Sequence, residues 1–245
     1  MTVICTVAMR MGSERLPGKS LIEIAGQPLM GHLIDRLQAC HRLDGIVIAT
    51  TDLAADDPIE EYAASRQVPC FRGAAEDVLD RITQASQSHE AKICVVVYGD
   101  GPLIDPQIID GAVEMFIESE SVDFLGNDLQ STFPSGMEVE VMSMQALAMS
   151  HSLCQDAATR EHGTLFLRQH PNLFRVKNFE AQGYQRRPDL YLEVDEPADL
   201  PVVESTTRHL QEQDSYALDT IIQLVDEQGL SRVNSHILRR WQQFR

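Results

Sequence analysis

Three cations stand within one short glycine-containing segment, Arg10-Met-Gly-Ser-Glu-Arg-Leu-Pro-Gly-Lys-Ser20. Backbone N–H groups in such a loop can surround a phosphate, while Arg10, Arg15 and Lys19 supply charge. The segment approaches a P-loop but departs from it. Ser13 stands where that motif has its first glycine, and Pro17 removes a donor inside the would-be cradle. A P-loop Lys-Ser also opens a helix directly, whereas Lys19-Ser20 leads into Leu21-Ile-Glu-Ile-Ala and a turn at Gly26-Gln-Pro28. The dinucleotide fingerprint G-x-G-x-x-G does not occur.

Two aspartates complement the cations. Asp100 follows the apolar run ending at Tyr98, with Gly99 and Gly101 leaving space around it, and Asp195 follows Leu192-Glu-Val. Carboxylates meeting at one sheet edge suit Mg²⁺, which takes one or two carboxylates together with substrate phosphates. Each residue also fits a local role: Asp195, ahead of Pro197, as a helix cap, and Asp100, ahead of Pro102, in a turn. The cationic loop tips the balance toward metal and phosphate.

The elements that must position these residues alternate. Val3–Ala8, Gly45–Thr50, Lys92–Tyr98 and Leu190–Val194 read as strands, and Ile93–Tyr98 is apolar on both faces, as a central parallel strand should be. Residues 28–40, 56–67, 76–89 and 106–120 carry helical spacing. The alternation predicts an α/β three-layer sandwich with a mostly parallel central sheet, and ligands of such sheets sit at the carboxyl ends of the strands. Residues 122–180 read as a small mixed insertion, with strands at 122–126, 136–142 and 173–179 and helices near 144–151 and 160–170. Helices follow at 200–211 and 216–228. A final helix at 231–244 places Val233, Ile237, Leu238 and Trp241 on one stripe, suited to core packing or a homo-oligomer contact. A homodimer is the expected assembly.

Composition narrows the partners. Twenty Lys and Arg against 37 Asp and Glu give a net charge of 20 − 37 = −17. Such a field repels nucleic acid and anionic membranes, though a local knot of cations can still hold a small anion. The chain shows no membrane span and no leader pattern. Cysteines 5, 40, 70, 94 and 154 form no C-x-x-C pair and sit among apolar neighbours, so the expectation is reduced thiols and a cytoplasmic protein.

Several motifs occur in order: Ala8-Arg-Met-Gly-Ser-x-Arg-Leu-Pro-Gly-Lys19, Ala49-Thr-Thr-Asp52, Phe71-Arg-Gly-x-x-x-Asp-Val-Leu-Asp-Arg81, Gly99-Asp-x-Pro-Leu-Ile-Asp105, Pro134-x-Gly-x-x-Val-Glu-Val141, Arg160-Glu-His162 and Val194-Asp-x-Pro-x-Asp-Leu200. Over roughly residues 2–205 the chain resembles the cytidylyltransferase family of spore-coat polysaccharide biosynthesis proteins. These are relatives of the enzymes that make CMP-activated sialic, pseudaminic, legionaminic and deoxy-octulosonic acids. The resemblance implies a nucleotide-diphospho-sugar transferase (GT-A-like) fold and one nucleotidyltransferase domain over residues 1–245. It also implies CTP as donor, an acidic sugar as acceptor, Mg²⁺ as cofactor and release of pyrophosphate.

By position, the resemblance makes Arg15, Lys19 and Asp100 catalytic, and it places Ala8, Arg10, Gly12, Ser13 and Lys19 around the nucleotide. Ala49, Thr50, Asp52, Arg72, Gly73 and Arg81 would line the nucleoside pocket. Asp100 and Asp195 would hold the metal, and Glu138, Glu140, Arg160 and His162 would face the sugar. The chain departs from the family pattern at Tyr98, Gly101, Met137-Glu138 and Gly163, mostly on the acceptor side. The alternatives are a nucleotidyltransferase using another nucleotide and a sugar phosphate, a GT-A-like glycosyltransferase, and a non-catalytic nucleotide-binding module. The Asp100-Gly-Pro sequence lacks the D-x-D triplet usual in the glycosyltransferase class.

Overall fold

The computed structural model describes residues 1–213 and 215–237. The chain runs β1 (Val3–Ala8), β2 (Glu23–Ile24), β3 (Gln27–Pro28), α1 (Leu29–Gln38), β4 (Gly45–Thr51), α2 (Asp57–Ser65), β5 (Cys70–Gly73), α3 (Val78–Ser88), β6 (Ile93–Tyr98) and α4 (Pro106–Glu118). It continues with β7 (Phe124–Gly126), β8 (Glu140–Ser143), α5 (Met144–Leu153), α6 (Ala157–Glu161), α7 (Leu165–Gln169), β9 (Val176–Asn178), α8 (Leu200–Gln213), α9 (Leu218–Gln228) and α10 (Ser231–Asn234). The stripe positions Leu238 and Trp241 lie outside the described residues.

Seven strands form one sheet in the order β5-β4-β1-β6-β8-β7-β9. β5, β4, β1 and β6 are mutually parallel, and β8 runs antiparallel to both of its neighbours, β6 and β7. The segment read as a mixed insertion therefore extends the main sheet. Side-chain alternation builds the layers. β1 sends Cys5 and Val7 to one face, where they meet helices α1, α4, α8 and α9, and Ile4 and Ala8 to the other, where α3 and α5 pack. β6 does the same with Val95 and Val97 against Cys94 and Val96. The chain winds outward from β1 through β4 to β5, then returns to place β6 on the other side of β1. The loops after β1 and β6 consequently diverge, and a crevice opens at their carboxyl ends.

Two sequence-based expectations need correction. Leu190–Val194 is extended but forms no strand of the sheet. Leu190, Leu192 and Val194 are buried at alternate positions, which mimics a strand. Their backbone bonds go to loops instead: Ser135 N donates to Leu190 O at 3.0 Å, Leu192 N to Ser135 O at 3.0 Å, and Val194 N to Asp100 O at 2.8 Å. The helix expected over 160–170 is two short helices, α6 and α7, parted where Gly163 takes φ +57°. The edge strand β5 escaped the sequence reading because it is four half-buried residues with no clear alternation. No helix among the described residues is long and apolar enough to cross a membrane.

The loop after β6 fits the segment before β8 only because both are glycine there. A Cβ on Gly101 would lie 2.7 Å from Gly136 O, and Gly136 itself sits at φ +89° against the backbone of Leu192 and Glu193. Three loops thus stack backbone on backbone beneath Asp100 and Asp195. Gly101→Ala should destabilise the fold by about 1–3 kcal/mol, read as a lower urea midpoint with an unchanged slope.

Candidate active site

The crevice holds two adjoining cavities of about 320 and 590 Å³. Both touch Ala8, Arg10, Arg15, Asp100 and Asp195. The smaller is walled by the loop after β1, including Gly12, Ser13 and Lys19. The larger extends toward Arg81, Glu138, His162 and Arg168.

The loop is shaped by its own backbone. Ser13 N and Gly18 N both donate to Met11 O at 2.9 Å, and Gly18, at φ +74°, turns the chain into a 3₁₀ turn at Lys19–Leu21. Asp56 moors the loop to the second strand end. Its carboxylate, 2% exposed, accepts from Met11 N at 2.7 Å, Thr50 Oγ1 at 3.0 Å, Thr51 N at 3.1 Å and Thr51 Oγ1. Burial alone would raise the Asp56 pKa, but these donors outweigh it and hold the carboxyl below its ordinary value. Asp52, which the resemblance places at the nucleoside pocket, is exposed. Asp56 reads as a helix-cap residue ahead of Asp57-Pro58, so its four-donor role left no pattern to find.

At the heart of the crevice lies a knot of charge. Lys19 Nζ donates to Asp195 Oδ1 at 2.9 Å, to Val194 O at 2.9 Å and to Asp100 Oδ2 at 3.4 Å. Arg15 reaches the other Asp195 oxygen at 2.6 Å and Glu196 at 3.4 Å. The Lys19 and Asp195 side chains are 14% and 8% exposed, so the attraction is little screened. Burial would lower the Lys19 pKa, yet the two aspartates raise it above the usual lysine value. Burial would raise Asp195, yet Lys19 and Arg15 hold it low. Capping after Asp195 falls to its neighbours: Glu196 occupies the N-cap position of the turn at Pro197–Asp199, and Asp199 accepts from the N–H groups of Asp195 and Glu196 at 2.9 and 2.8 Å. The Asp195 carboxylate is thereby left for the cations.

The remaining expected residues divide. Arg81 is 2% exposed, lines the larger cavity and donates Nη1 to Ala74 O and Ala75 O. Its Nε–H has no hydrogen-bond partner among the described residues. Burial and the charge of Arg10 lower its pKa. Glu138 and His162 also line this cavity. Thr50, Asp52, Arg72, Gly73, Glu140 and Arg160 line neither. Arg72 is spent on Thr51 O, Leu53 O and the carboxylates of Asp57 and Glu60. Arg160 braces α6 against the cap of α3, pairing with Asp77 at 2.7 Å and donating to His151 O and Cys154 O. Glu140 is buried behind the cavity, accepting from Thr164 Oγ1 at 2.8 Å. Arg168, unforeseen in the sequence, enters the cavity and pairs with Asp128 at 2.8 Å and Glu140 at 3.5 Å. On a short helix its spacing resembles any solvated arginine, so only the fold reveals it.

A family model described as cytidylyltransferase matches residues 4–230. The chain belongs to the cytidylyltransferase family. This cytidylyltransferase is 28% identical over 230 residues to the spore coat polysaccharide biosynthesis protein SpsF of Bacillus subtilis, covering 91% of this chain and 94% of that one. It is 31% identical over 209 residues to an uncharacterized protein of Methanocaldococcus jannaschii, covering 85% and 84%. Among solved structures, a cytidylyltransferase from Leptospira borgpetersenii superposes with a TM-score of 0.89 at 27% identity, covering 98% of this chain and all of that one.

The Asp56 moorage is testable. Its folded pKa is depressed, so its contribution to stability is fully present above the unfolded value of ~3.9 and is lost as pH falls through the folded value. Asp56→Asn should lower stability by about 2–4 kcal/mol at pH 7. Urea unfolding at a series of pH values should show that deficit shrinking below pH ~4.

Proposed function

We propose that this cytidylyltransferase transfers CMP from CTP to a sugar acid, in the making of an activated sugar for a surface polysaccharide. The acceptor hydroxyl oxygen attacks the α-phosphorus and gives up its proton to solvent, the bond from that phosphorus to the β-phosphate oxygen breaks, and pyrophosphate leaves. The observation that carries this reading is the convergence of Arg15, Lys19, Asp100 and Asp195 in one crevice, walled by a glycine-containing loop. Catalysis of phosphoryl-type transfer is mostly positioning and charge neutralisation, which is what such a knot supplies.

In this reading the smaller cavity takes the triphosphate, with the loop from Arg10 to Lys19 around it. Arg15 and Lys19 neutralise the departing pyrophosphate. Ala8, Arg10 and Arg81 border the nucleoside, and the Arg81 Nε–H is a donor still to be satisfied. Mg²⁺ is the proposed cofactor, held by Asp100 and Asp195. The donor set fits: two hard carboxylate oxygens already accommodate a cation between them, the Lys19 ammonium. When bound, the ion supplies positive charge beside the α-phosphate.

The larger cavity is assigned to the nucleoside at its Arg81 side and to the acceptor at the side walled by Glu138 and His162. Arg168, rather than Arg160, is the cation placed to meet the sugar carboxylate, because Arg168 lines the larger cavity while Arg160 lines neither and is turned to Asp77 and two carbonyls. Substitution Arg168→Met should then raise the acceptor KM roughly 10–100-fold while leaving the KM for CTP nearly unchanged. Arg160→Met should leave both near wild type in steady-state assays.

The central test is pyrophosphate release from CTP, Mg²⁺ and a panel of sugar acids. Release that needs both CTP and a sugar acid is expected. Release with a sugar phosphate alone, or none with any acceptor, would contradict the reading. Lys19→Ala should slow turnover by roughly 10²–10³, the loss of ~2.7–4 kcal/mol from a preorganised charge contact. Turnover within about threefold of wild type would remove Lys19 from the reaction.

A further inference from the structure

The Lys19 ammonium has three donors, and all three are committed to the acidic cradle: Asp195 Oδ1, Val194 O and Asp100 Oδ2. It occupies the gap between the two carboxylates proposed to hold the divalent ion. A divalent ion placed in the same gap would sit within a few ångströms of a buried ammonium, where repulsion between cations is weakly screened. The two occupants are mutually exclusive.

Charge arithmetic agrees. Asp100, Asp195 and Glu196 contribute three negative charges, and Lys19 and Arg15 contribute two positive ones, so the knot carries only 2 − 3 = −1 without metal. A divalent ion entering an intact knot would turn its net charge from −1 to +1, with the ion set directly against the buried ammonium. Two features let Lys19 move. Its side chain is a flexible four-carbon stem, and its backbone starts a 3₁₀ turn beside the smaller cavity rather than lying in the sheet. A triphosphate in that cavity offers oxygens to draw the ammonium off the aspartates.

Resting on the nucleotide-binding reading above, we propose that Lys19 is an internal counter-cation that keeps the Asp100–Asp195 pair closed to divalent ions until nucleotide phosphates withdraw it. Metal and nucleotide therefore bind with positive coupling, and the coupling is reciprocal. Lys19 acts here as a positioning residue for the metal site, in addition to its contact with phosphate.

The test is Mn²⁺ binding to the full-length protein, read as free Mn²⁺ by electron paramagnetic resonance, with and without α,β-methylene-CTP. Wild type is expected to bind Mn²⁺ roughly tenfold or more tightly when the analogue is bound. Lys19→Met is expected to bind Mn²⁺ alone at least about tenfold more tightly than wild type, and adding Asp195→Asn is expected to abolish that gain. A lysine that merely braced the cradle would behave oppositely, since its removal would weaken Mn²⁺ binding. Unchanged or weaker Mn²⁺ affinity in Lys19→Met, with an intact thermal transition, overturns the inference. If Lys19→Met does not fold, Lys19→Gln carries the same comparison. In wild type, bound analogue with unchanged Mn²⁺ affinity overturns this inference alone. An analogue that does not bind overturns the functional reading as well.

Discussion

The crevice is organised around a single carboxylate. Asp195 receives Lys19 on one oxygen and Arg15 on the other, from a loop that lies far away in sequence and next to it in space. Two buried or half-buried cations on one acid are tolerable only because each finds further partners, Asp100 and Val194 O for Lys19 and Glu196 for Arg15. Much of the fold serves to hold that carboxylate in place. Val194 N is pinned to Asp100 O, the Asp195 N–H is pinned to Asp199, and Asp199 is itself held by Asn234 Nδ2 at 2.8 Å, near the end of the described chain. The glycine contact between Gly101 and Gly136 lets the supporting loops approach closely enough for this to work.

The same logic explains how an acidic chain can handle a polyanion. A net charge of −17 disfavours extended anionic partners, yet the crevice concentrates Arg10, Arg15, Lys19, Arg81 and Arg168 around two cavities. Acids neutralise most of these cations at rest. The field that a nucleotide meets is thus a local one, set by which partner each cation exchanges on binding.

The central architecture was legible because its signals are local. Apolar runs at Val3–Ala8 and Ile93–Tyr98 can only be buried strands in this setting, and the helices between them carry clear apolar stripes. Lys19, Arg15 and Asp100 were legible by type and by place after strands, Asp195 by type and by its place after a buried alternating segment, and the structure brings them to one crevice. Residues whose role depends on tertiary approach were not legible. Asp56 looks like a cap, Arg168 looks like surface, and Leu190–Val194 looks like a strand because its alternation serves loop packing equally well. Arg160 misled for the converse reason: beside His162 it reads as a recognition pair, but the turn of α6 sends it to Asp77.

The roles of Lys19, Arg15 and the two aspartates depend on where the nucleotide's phosphates lie relative to the charge knot. A crystal structure with α,β-methylene-CTP and Mn²⁺ answers this most directly. The expected result is phosphate oxygens within hydrogen-bonding distance of Lys19 Nζ and Arg15, with an anomalous manganese peak between Asp100 and Asp195. A nucleotide bound elsewhere, with Lys19 still bridging the two aspartates, would contradict it.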